Sequence, residues 1–229
     1  MKNNEILEMD HVFNEEDTVK YIDSYMFIKG FAVGKELSQT LIALAAARHF
    51  HDGQYRKGGD PYICHPLKVC STLIGLGIHD DITLAAALLH DVIEDCQDKL
   101  PYGGNELVTE YGIDPEVIRV VTLLSKESGL GERELSIYFD RIKKDPKALL
   151  VKLSDRMHNS SSLYEFTLKK MRVQIDETYK FLIPIASYGK RYYPQYTNAL
   201  TIMKNTIYSL NHSMDIMLQK IEKAECSEN

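Results

Sequence analysis

The chain has 229 residues, a mass of 26.2 kDa and a net charge of −6, from 27 basic and 33 acidic residues. Apolar residues make up 44% and charged residues 26%, which is typical of a globular protein and excludes a largely disordered or fibrous chain. The acidic balance argues against nucleic acid as a partner, because general binding of nucleic acid needs a basic face.

Targeting signals and disulfides are also missing from the sequence. No segment approaches the roughly 18 uncharged apolar residues of a membrane span, and the first ten residues contain no signal-peptide core. The four cysteines, Cys64, Cys70, Cys96 and Cys226, form no Cys-x-x-Cys pair, so we expect reduced thiols. These observations predict a cytoplasmic protein with no membrane partner.

Helical periodicity dominates the chain and predicts an all-α helical bundle. A polar loop is expected at 52–62, another at 97–105, and a helix start at Asp114 and Pro115. The other predicted helices cover 34–51, 65–76, 81–95 (capped by Asp81), 132–143, 147–158, 161–187 and 196–223. We expect a single domain over residues 1–229, with a core at about 34–190 and a C-terminal helix within 194–225.

Residues 88–95, LLHDVIED, combine an apolar stripe with an imidazole and three carboxylates. At about 100° per residue, His90, Asp91, Glu94 and Asp95 fall within an arc of roughly 140° on one helix face. Three acids on one face repel one another, and a bound cation offsets that repulsion. The donors suit Mn, Fe, Mg or Zn, although an acidic, solvent-facing helix with an incidental histidine shows the same pattern.

Two further segments favour a metal site. His51 lies where a predicted helix meets the polar loop, and Asp155 follows an apolar run. Alone, each is more often a helix cap or a surface charge. Together with His90 and Asp91 they form a set of two histidines and two aspartates, which suits a divalent metal ion.

Four ordered motifs carry a resemblance to a known family. They are residues 51–54 (HDGQ), 56–66 (RKGGDPYICHP), 90–95 (HDVIED) and 152–159 (KLSDRMHN). In this order they resemble the HD-domain hydrolase of the RelA/SpoT alarmone enzymes, over about residues 34–190. The resemblance implies an all-α bundle with the HD-domain fold.

Position by position, the resemblance implies one divalent metal ion per chain, usually Mn²⁺. Its ligands would be His51, His90, Asp91 and Asp155. Glu94 and Asp95 would activate the attacking water, which agrees with their residue type, because a carboxylate near a metal site can accept the proton of a water molecule.

The resemblance also implies a nucleotide pocket. Arg56 and Lys57 form a small basic loop that suits phosphate oxygens, although a solvated loop has the same composition. By resemblance, these two residues face the nucleotide and its phosphates, and Asn159 and Ser162 belong to the nucleotide pocket.

Other residues near the motifs have plainer interpretations, and two departures from the family stand out. Tyr62 and His65 are equally consistent with packing of the loop onto the core, and His158 with a core position. Serines occupy 160–162, where the family usually has Met-Arg-Thr, which puts the substrate contacts in doubt. About forty residues follow Gly189, too few for the family's synthetase domain, so we expect a stand-alone hydrolase.

The last predicted helix has an apolar stripe at spacings of three and four residues. Its members are Leu200, Met203, Ile207, Leu210, Met214, Met217 and Ile221. Packing against the rest of the domain explains such a stripe, and a homodimer through this helix is the alternative.

Three hypotheses follow for function. The first is manganese-dependent hydrolysis of the 3′-diphosphate of guanosine tetra- or pentaphosphate (ppGpp or pppGpp) to GDP or GTP and pyrophosphate. The second keeps the chemistry but changes the substrate to another nucleotide, such as NADPH. The third is a catalytically idle domain that binds a nucleotide and signals to a partner; intact Glu94 and Asp95 argue against it.

Overall fold

A computed structural model describes residues 15–100, 102–126 and 129–227, with side-chain surroundings between residues 19 and 224. In these ranges the regular structure is helical, and the extended pairing is a single bridge between Tyr55 and Pro61. The prediction of an all-α fold is therefore confirmed. None of the helices in the described ranges is long and apolar enough to cross a membrane. Cys226 lies outside the described side chains.

The helices are numbered in chain order through the described ranges. They are α1 Glu15–Gly34, α2 Ser38–Phe50, α3 Cys64–Gly75, α4 Asp81–Leu89, α5 Val92–Asp95, α6 Asn105–Thr109, α7 Pro115–Leu124, α8 Glu132–Lys144, α9 Pro146–Ser161, α10 Leu168–Glu177, α11 Ile183–Tyr192 and α12 Thr197–Ser227. Two 3₁₀ turns, Leu163–Glu165 and Pro194–Tyr196, and a π-helical segment, Thr178–Leu182, connect the later helices.

Helix α4 lies at the centre of the bundle. Residues 83–89 of this helix are all buried, and the helix packs against α2, α3, α7 and α9. A helix that is apolar on every side can be stable only when other elements surround it. His90 and Asp91 directly follow the end of α4 and are therefore attached to the middle of the core.

Two neighbouring aspartates fix the start of α4. Asp80 caps the helix by accepting a hydrogen bond from the backbone N–H of Thr83 at 2.9 Å. The prediction that Asp81 is the cap is wrong by one residue. Asp81 instead accepts hydrogen bonds from the backbone N–H groups of Gln39, at 2.9 Å, and Thr40, at 2.7 Å, so it caps α2 and joins the two helices.

The predicted helix over 81–95 is interrupted at two of its candidate site residues, His90 and Asp91. The imidazole Nδ1 of His90 lies 2.8 Å from the carbonyl oxygen of Ala87, which a continuous helix would offer to the backbone N–H of Asp91. Helix α4 consequently ends at Leu89, and the short α5 begins at Val92.

The remaining helices differ from the predictions at two places and agree at a third. The stretch 161–187 is not one helix, because a 3₁₀ turn follows α9 and Thr167 caps a new helix, α10, by accepting from the backbone N–H of Lys170. Helix α1 was not predicted, because it leaves Val19, Met26 and Val33 exposed and so lacks a clear apolar and polar face. The helix start at Asp114 and Pro115 is confirmed, with Asp114 capping α7.

The apolar stripe of α12 is largely used within the chain. Leu200, Met203 and Ile207 are fully buried, and the helix packs against α9, α10 and α11. Packing against the rest of the domain, rather than a second copy, accounts for this half of the stripe.

A second, smaller core joins α10 to the C-terminal half of α12. Its buried members are Leu163, Met171, Ile175 and Leu218. An ion pair between the Arg172 guanidinium and the Asp215 carboxylate, at 2.5 Å, lies across the same two helices. Helix α10 is thus held mainly by α12 and the turn before it.

Candidate active site

The break between α4 and α5 positions the first two site residues. His90 is buried, and because the carbonyl of Ala87 can only accept, the imidazole donates to it from Nδ1. The lone pair of the neutral ring therefore lies on Nε2. The Oδ2 atom of Asp91 lies 3.3 Å from this Nε2.

His65 and Asp155 complete a compact group with these two residues. The Nε2 atoms of His65 and His90 are 3.1 Å apart, and the Asp91 Oδ2 atom is 3.4 Å from His65 Nε2. Asp155 Oδ1 lies 3.3 Å from His65 Nε2 and 3.9 Å from His90 Nε2. One ligand atom each from His65, His90 and Asp91 lies within 4.8 Å of the others. Two nitrogen and two oxygen donors therefore converge from α3, the α4–α5 break and α9.

His51 lies beside this group rather than in it. Its ring stacks on the Tyr62 ring, with centroids 4.7 Å apart, and its Nδ1 is 2.8 Å from the side-chain oxygen of Gln54. Its buried Nε2 atom has no hydrogen-bond partner among the described residues. The charges of Asp91, His90 and Asp95 nonetheless act on the His51 imidazole, so both His51 and His65 are candidate ligands at this group.

Tyr62 connects the group to Asp95. Its hydroxyl lies 2.8 Å from Asp91 Oδ2 and 2.6 Å from Asp95 Oδ2, so one proton is shared between two carboxylates. Burial and the two aspartates raise the pKa of this phenol well above its ordinary value. Tyr62 therefore stays protonated and acts as a donor.

Glu94 lies on the same short helix as Asp95, at the edge of the group. Its carboxylate accepts a hydrogen bond from the backbone N–H of Lys126. Burial raises the pKa of Glu94, and the Lys126 N–H opposes that rise without cancelling it. A half-buried carboxylate with a raised pKa is a suitable proton acceptor near neutral pH.

The two aspartates of the group are held in their charged forms. Burial acts to raise the pKa of Asp91, but the facing imidazoles of His90 and His65 outweigh it and lower that pKa. Burial acts in the same direction on Asp155, whose pKa is held well below its ordinary value by the Lys152 ammonium, 3.0 Å away, and by His65. Both carboxylates are available as anionic ligands.

A polar chain leads outward from Asp155 to the basic loop. The side-chain amide of Asn159 donates to Asp155 Oδ1 at 2.5 Å, and its oxygen accepts from Arg56 at 3.0 Å. Ser162 lies further along, in a neighbouring cavity of about 380 Å³ that Arg56 also lines. Arg56 therefore stands between the two cavities.

The group opens into a cavity of about 550 Å³ whose lining includes six cations and five carboxylates, among them Glu165. The cations around it are Arg56, Lys57, Lys126, Lys152, Arg156 and Lys170. At its inner end, Lys126, at 3.0 Å, and Arg156 both pair with the buried carboxylate of Glu177. A cavity whose lining combines these cations with the carboxylates and imidazole of the donor group suits a polyphosphate bound together with a metal ion.

Most of the predicted site residues meet at this cavity. The cavity and the donor group together include His90, Asp91, Glu94, Asp95, Asp155, Arg56, Lys57 and Asn159. Ser162 is in the neighbouring cavity, and His51 stacks on Tyr62, which lines the main cavity. The sequence analysis missed His65 as a donor and four of the cations. Lys152 could have been identified as a candidate site residue from the sequence, because it interrupts the apolar run of residues 148–153 in α9.

The donor group fits a divalent metal ion. Two imidazole Nε2 atoms lie 3.1 Å apart, each next to carboxylate oxygens. Burial acts to lower the pKa of His65, but Asp155 and Asp91 outweigh it and raise that pKa, so a proton on His65 satisfies these contacts when no metal is bound. A divalent cation would take the place of that proton, and nitrogen with oxygen donors suits Mn, Fe or Zn. His90 also has the Nδ1–carbonyl hydrogen bond that commonly orients a metal-binding imidazole.

The chain matches a known protein family. The family model described as HD domain matches residues 43–182, which contain every donor and carboxylate of the group described above.

Curated proteins and solved structures are also similar to this chain. A "GTP pyrophosphokinase" of Streptomyces coelicolor is 36% identical over 66% of this chain and 18% of its own length. Proteins named "Guanosine-3′,5′-bis(diphosphate) 3′-pyrophosphohydrolase" from Haemophilus influenzae (36% identical, 61% of this chain, 21% of the relative) and Aquifex aeolicus (31%, 78% and 24%) also match. The chain therefore spans about a fifth of the length of these relatives.

The solved structure is described as "A metazoan ortholog of SpoT hydrolyzes ppGpp and plays a role in starvation responses". It is 21% identical to this chain, with a TM-score of 0.60 over 77% of this chain and 96% of its own. At that level of identity, the similarity supports the fold.

Proposed function

This chain belongs to the HD-domain family, and on that premise we propose that it is a metal-dependent 3′-pyrophosphohydrolase of guanosine tetra- and pentaphosphate. The products would be GDP or GTP and pyrophosphate. The observation that carries the proposal is the convergence of two imidazoles and two aspartates beside Glu94 and Asp95, at the base of a cavity lined by six cations. Two of the relatives are named for this reaction.

The proposed metal ligands are His65, His90, Asp91 and Asp155, with His65 in place of His51. We propose one Mn²⁺ ion per chain, which would supply an activated water and offset charge on the phosphoryl oxygens. The unpartnered Nε2 atom of His51 keeps that residue as the competing candidate, and the two histidines can be separated by substitution.

The remaining steps belong to the side chains of this protein. Water attacks the phosphorus that is bonded to the ribose 3′ oxygen, and the bond between this phosphorus and the 3′ oxygen breaks. Pyrophosphate leaves with the oxygen of the water, and the ribose 3′ oxygen takes up a proton to become the hydroxyl of GDP or GTP. Glu94 and Asp95 are the proposed acceptors of the water proton. The pair formed by Lys126 and Arg156 with Glu177 lies at the inner end, where cations offset the charge of a diphosphate. The Tyr62 hydroxyl, hydrogen-bonded to both, fixes the Asp91 and Asp95 carboxylates relative to each other.

A second candidate, hydrolysis of another nucleotide such as NADPH, is favoured by one observation. Ser161 and Ser162 line the neighbouring cavity, at positions where the resembling family usually has arginine and threonine. Loss of an arginine there changes the contacts available to the part of the substrate that is not cleaved. The metal group is unaffected by this difference.

The deciding experiment incubates the protein with Mn²⁺ and a panel of guanosine tetraphosphate, guanosine pentaphosphate, GTP and NADPH, with products identified by ion-exchange chromatography. The control is the double variant Glu94→Gln, Asp95→Asn, which keeps size and hydrogen bonding but removes the proton acceptors. We expect pyrophosphate and GDP from guanosine tetraphosphate, and a rate lower by about 10²–10⁴ in the variant. Turnover of NADPH alone would favour the second candidate, and inactivity of the parent with every divalent metal would favour an idle binding domain.

Three further predictions of the sequence accompany this proposal. They are a cytoplasmic location, a single hydrolase domain over residues 1–229, and a homodimer through the last helix. Because Leu200, Met203 and Ile207 are buried, a dimer would use the exposed side of α12, which carries Ile202 and Tyr208. Sedimentation of the parent and of Ile202→Glu tests that contact.

A further inference from the structure

Two lysines at the outer part of the main cavity converge on one aromatic ring. The Lys57 ammonium, from the basic loop, lies 5.0 Å from the centroid of the Phe166 ring. The Lys170 ammonium, from the first turn of α10, lies 4.6 Å from the same centroid. All three side chains line the cavity, so two separate elements of the fold bring positive charge to one point of its wall.

These two lysines differ from the cations deeper in the cavity. Lys126 and Arg156 pair with Glu177, and Lys152 pairs with Asp155. Within the described part of the chain, neither Lys57 nor Lys170 forms an ion pair with a carboxylate, although both are within reach of a ring that attracts cations. Two ammonium groups that approach one ring repel each other, and an anion between them removes that repulsion.

The geometry of α10 separates this pair from the inner cations. Lys170 precedes Gln174 by four residues and Glu177 by seven, so the three lie close to one face of the helix, and all three have contacts at the site. At about 1.5 Å of rise per residue, Lys170 lies about 10 Å along the axis from Glu177. Lys170 is therefore about two helical turns from Glu177, the residue that pairs with Lys126 and Arg156.

We propose that Lys57 and Lys170, which both contact the Phe166 ring, bind a phosphate group of the substrate that is not cleaved. This inference rests on the proposed function. A nucleotide with phosphates on two positions of its ribose presents two separate anionic groups, and the cavity has two separate cationic regions to receive them. The outer pair would then select substrates that carry a second phosphate over those that carry only the scissile diphosphate.

The test compares two substrates and three lysine variants. The substrates are guanosine 3′,5′-bisdiphosphate and guanosine 3′-diphosphate with a free 5′ hydroxyl. Lys170→Met removes the ammonium and keeps the apolar stem, Lys170→Arg restores a cation, and Lys169→Met removes the same charge from the neighbouring exposed residue, which does not line the cavity. Both kcat/KM and the equilibrium dissociation constant, by calorimetry, are measured for each pair.

We expect Lys170→Met to reduce the preference for the bisdiphosphate about ten-fold, equivalent to about 1.4 kcal/mol, through KM rather than kcat. Lys170→Arg should recover most of it, and Lys169→Met should resemble the parent. The inference is overturned if Lys170→Met and Lys169→Met behave alike, or if both substrates are affected equally, as a plain packing contact with Phe166 would produce.

Failure of the proposed function has a different signature. If the parent binds the bisdiphosphate selectively but hydrolyses neither substrate, and Lys170→Met loses that selectivity, the phosphate site stands and the catalytic proposal falls. If the parent hydrolyses both substrates and Lys170→Met keeps the full preference, the catalytic proposal stands and the phosphate site falls. A parent that binds neither nucleotide overturns both.

Discussion

Replacement of Tyr62 by Phe tests how far one hydroxyl organises the site. The hydroxyl proton is shared between Asp91, at 2.8 Å, and Asp95, at 2.6 Å, which are a proposed metal ligand and a proposed proton acceptor. The substitution keeps the ring that stacks on His51 and meets His65 edge-on. It therefore removes one donor from two carboxylates and leaves the surrounding packing in place.

The expected loss follows from the type of hydrogen bond. A hydrogen bond to a charged group contributes about 1.5–3 kcal/mol, and each 1.4 kcal/mol corresponds to a factor of about ten. Loss of a partner that orients a metal ligand commonly reduces metal affinity or activity about 10- to 100-fold. Because Asp95 is exposed and water can replace part of the hydrogen bond there, we expect kcat/KM to fall about ten- to thirty-fold.

The assay combines steady-state hydrolysis of guanosine tetraphosphate with titration of Mn²⁺ by calorimetry. The control is Tyr102→Phe, since that hydroxyl is on a side chain that is 75% exposed and does not line the cavity. Thermal unfolding of the metal-free proteins shows whether the fold is intact. If the Tyr62 variant matched the parent within two-fold in both kcat/KM and Mn²⁺ affinity, the shared proton would have no organising role.

Three other predictions address the metal ligands, the proton acceptor and the core. His65→Ala should abolish Mn²⁺ binding measured by calorimetry, whereas His51→Ala should retain it; the reverse result would restore His51 as the ligand. Burial raises the pKa of Glu94 above its ordinary 4.5, and its basic form is lost as the pH falls through that higher pKa. At saturating metal, kcat should therefore begin to fall on the acid side at a pH above 4.5, and this fall should shift in Glu94→Gln. A Cβ atom at Gly189 would lie 2.5 Å from a leucine methyl group of α9, so Gly189→Ala should reduce the free energy of unfolding in urea by about 1–3 kcal/mol. Gly30→Ala, with nothing within 4 Å, should raise it by about 0.5–1 kcal/mol, and equal effects would contradict the close packing.

The proximity of site residues that belong to one motif could be predicted from the sequence, because residues close together along a helix are also close together in space. His90, Asp91, Glu94 and Asp95 lie within six residues, and the structure keeps them together even though the helix that was expected to carry them is broken. The break depends on the Nδ1 atom of His90 reaching the carbonyl of Ala87, which residue spacing does not reveal.

Contacts between motifs could not be predicted in the same way. His51 and His65 flank one polar loop, and both are polar residues at the edge of an apolar helix. Only the path of that loop, which pairs Tyr55 with Pro61, decides that His65 approaches His90 while His51 stacks on Tyr62. The four additional cations come from α9, α10 and the segment after α7, so their convergence is a property of the tertiary fold.

The two sides of the cavity differ in how many contacts hold them. The floor, with His65, His90 and Asp155, is built on helices of the large core, whereas the wall formed by α10 is held by a core of four buried residues and by ion pairs such as that of Arg172 with Asp215. Segments with few buried apolar partners open at a lower free-energy cost than the rest of a protein. Amide hydrogens of α10 should therefore exchange with solvent faster than those of α4, and the slowest exchange within α10 is expected near Glu177, whose ion pair with Arg156 joins the helix to α9.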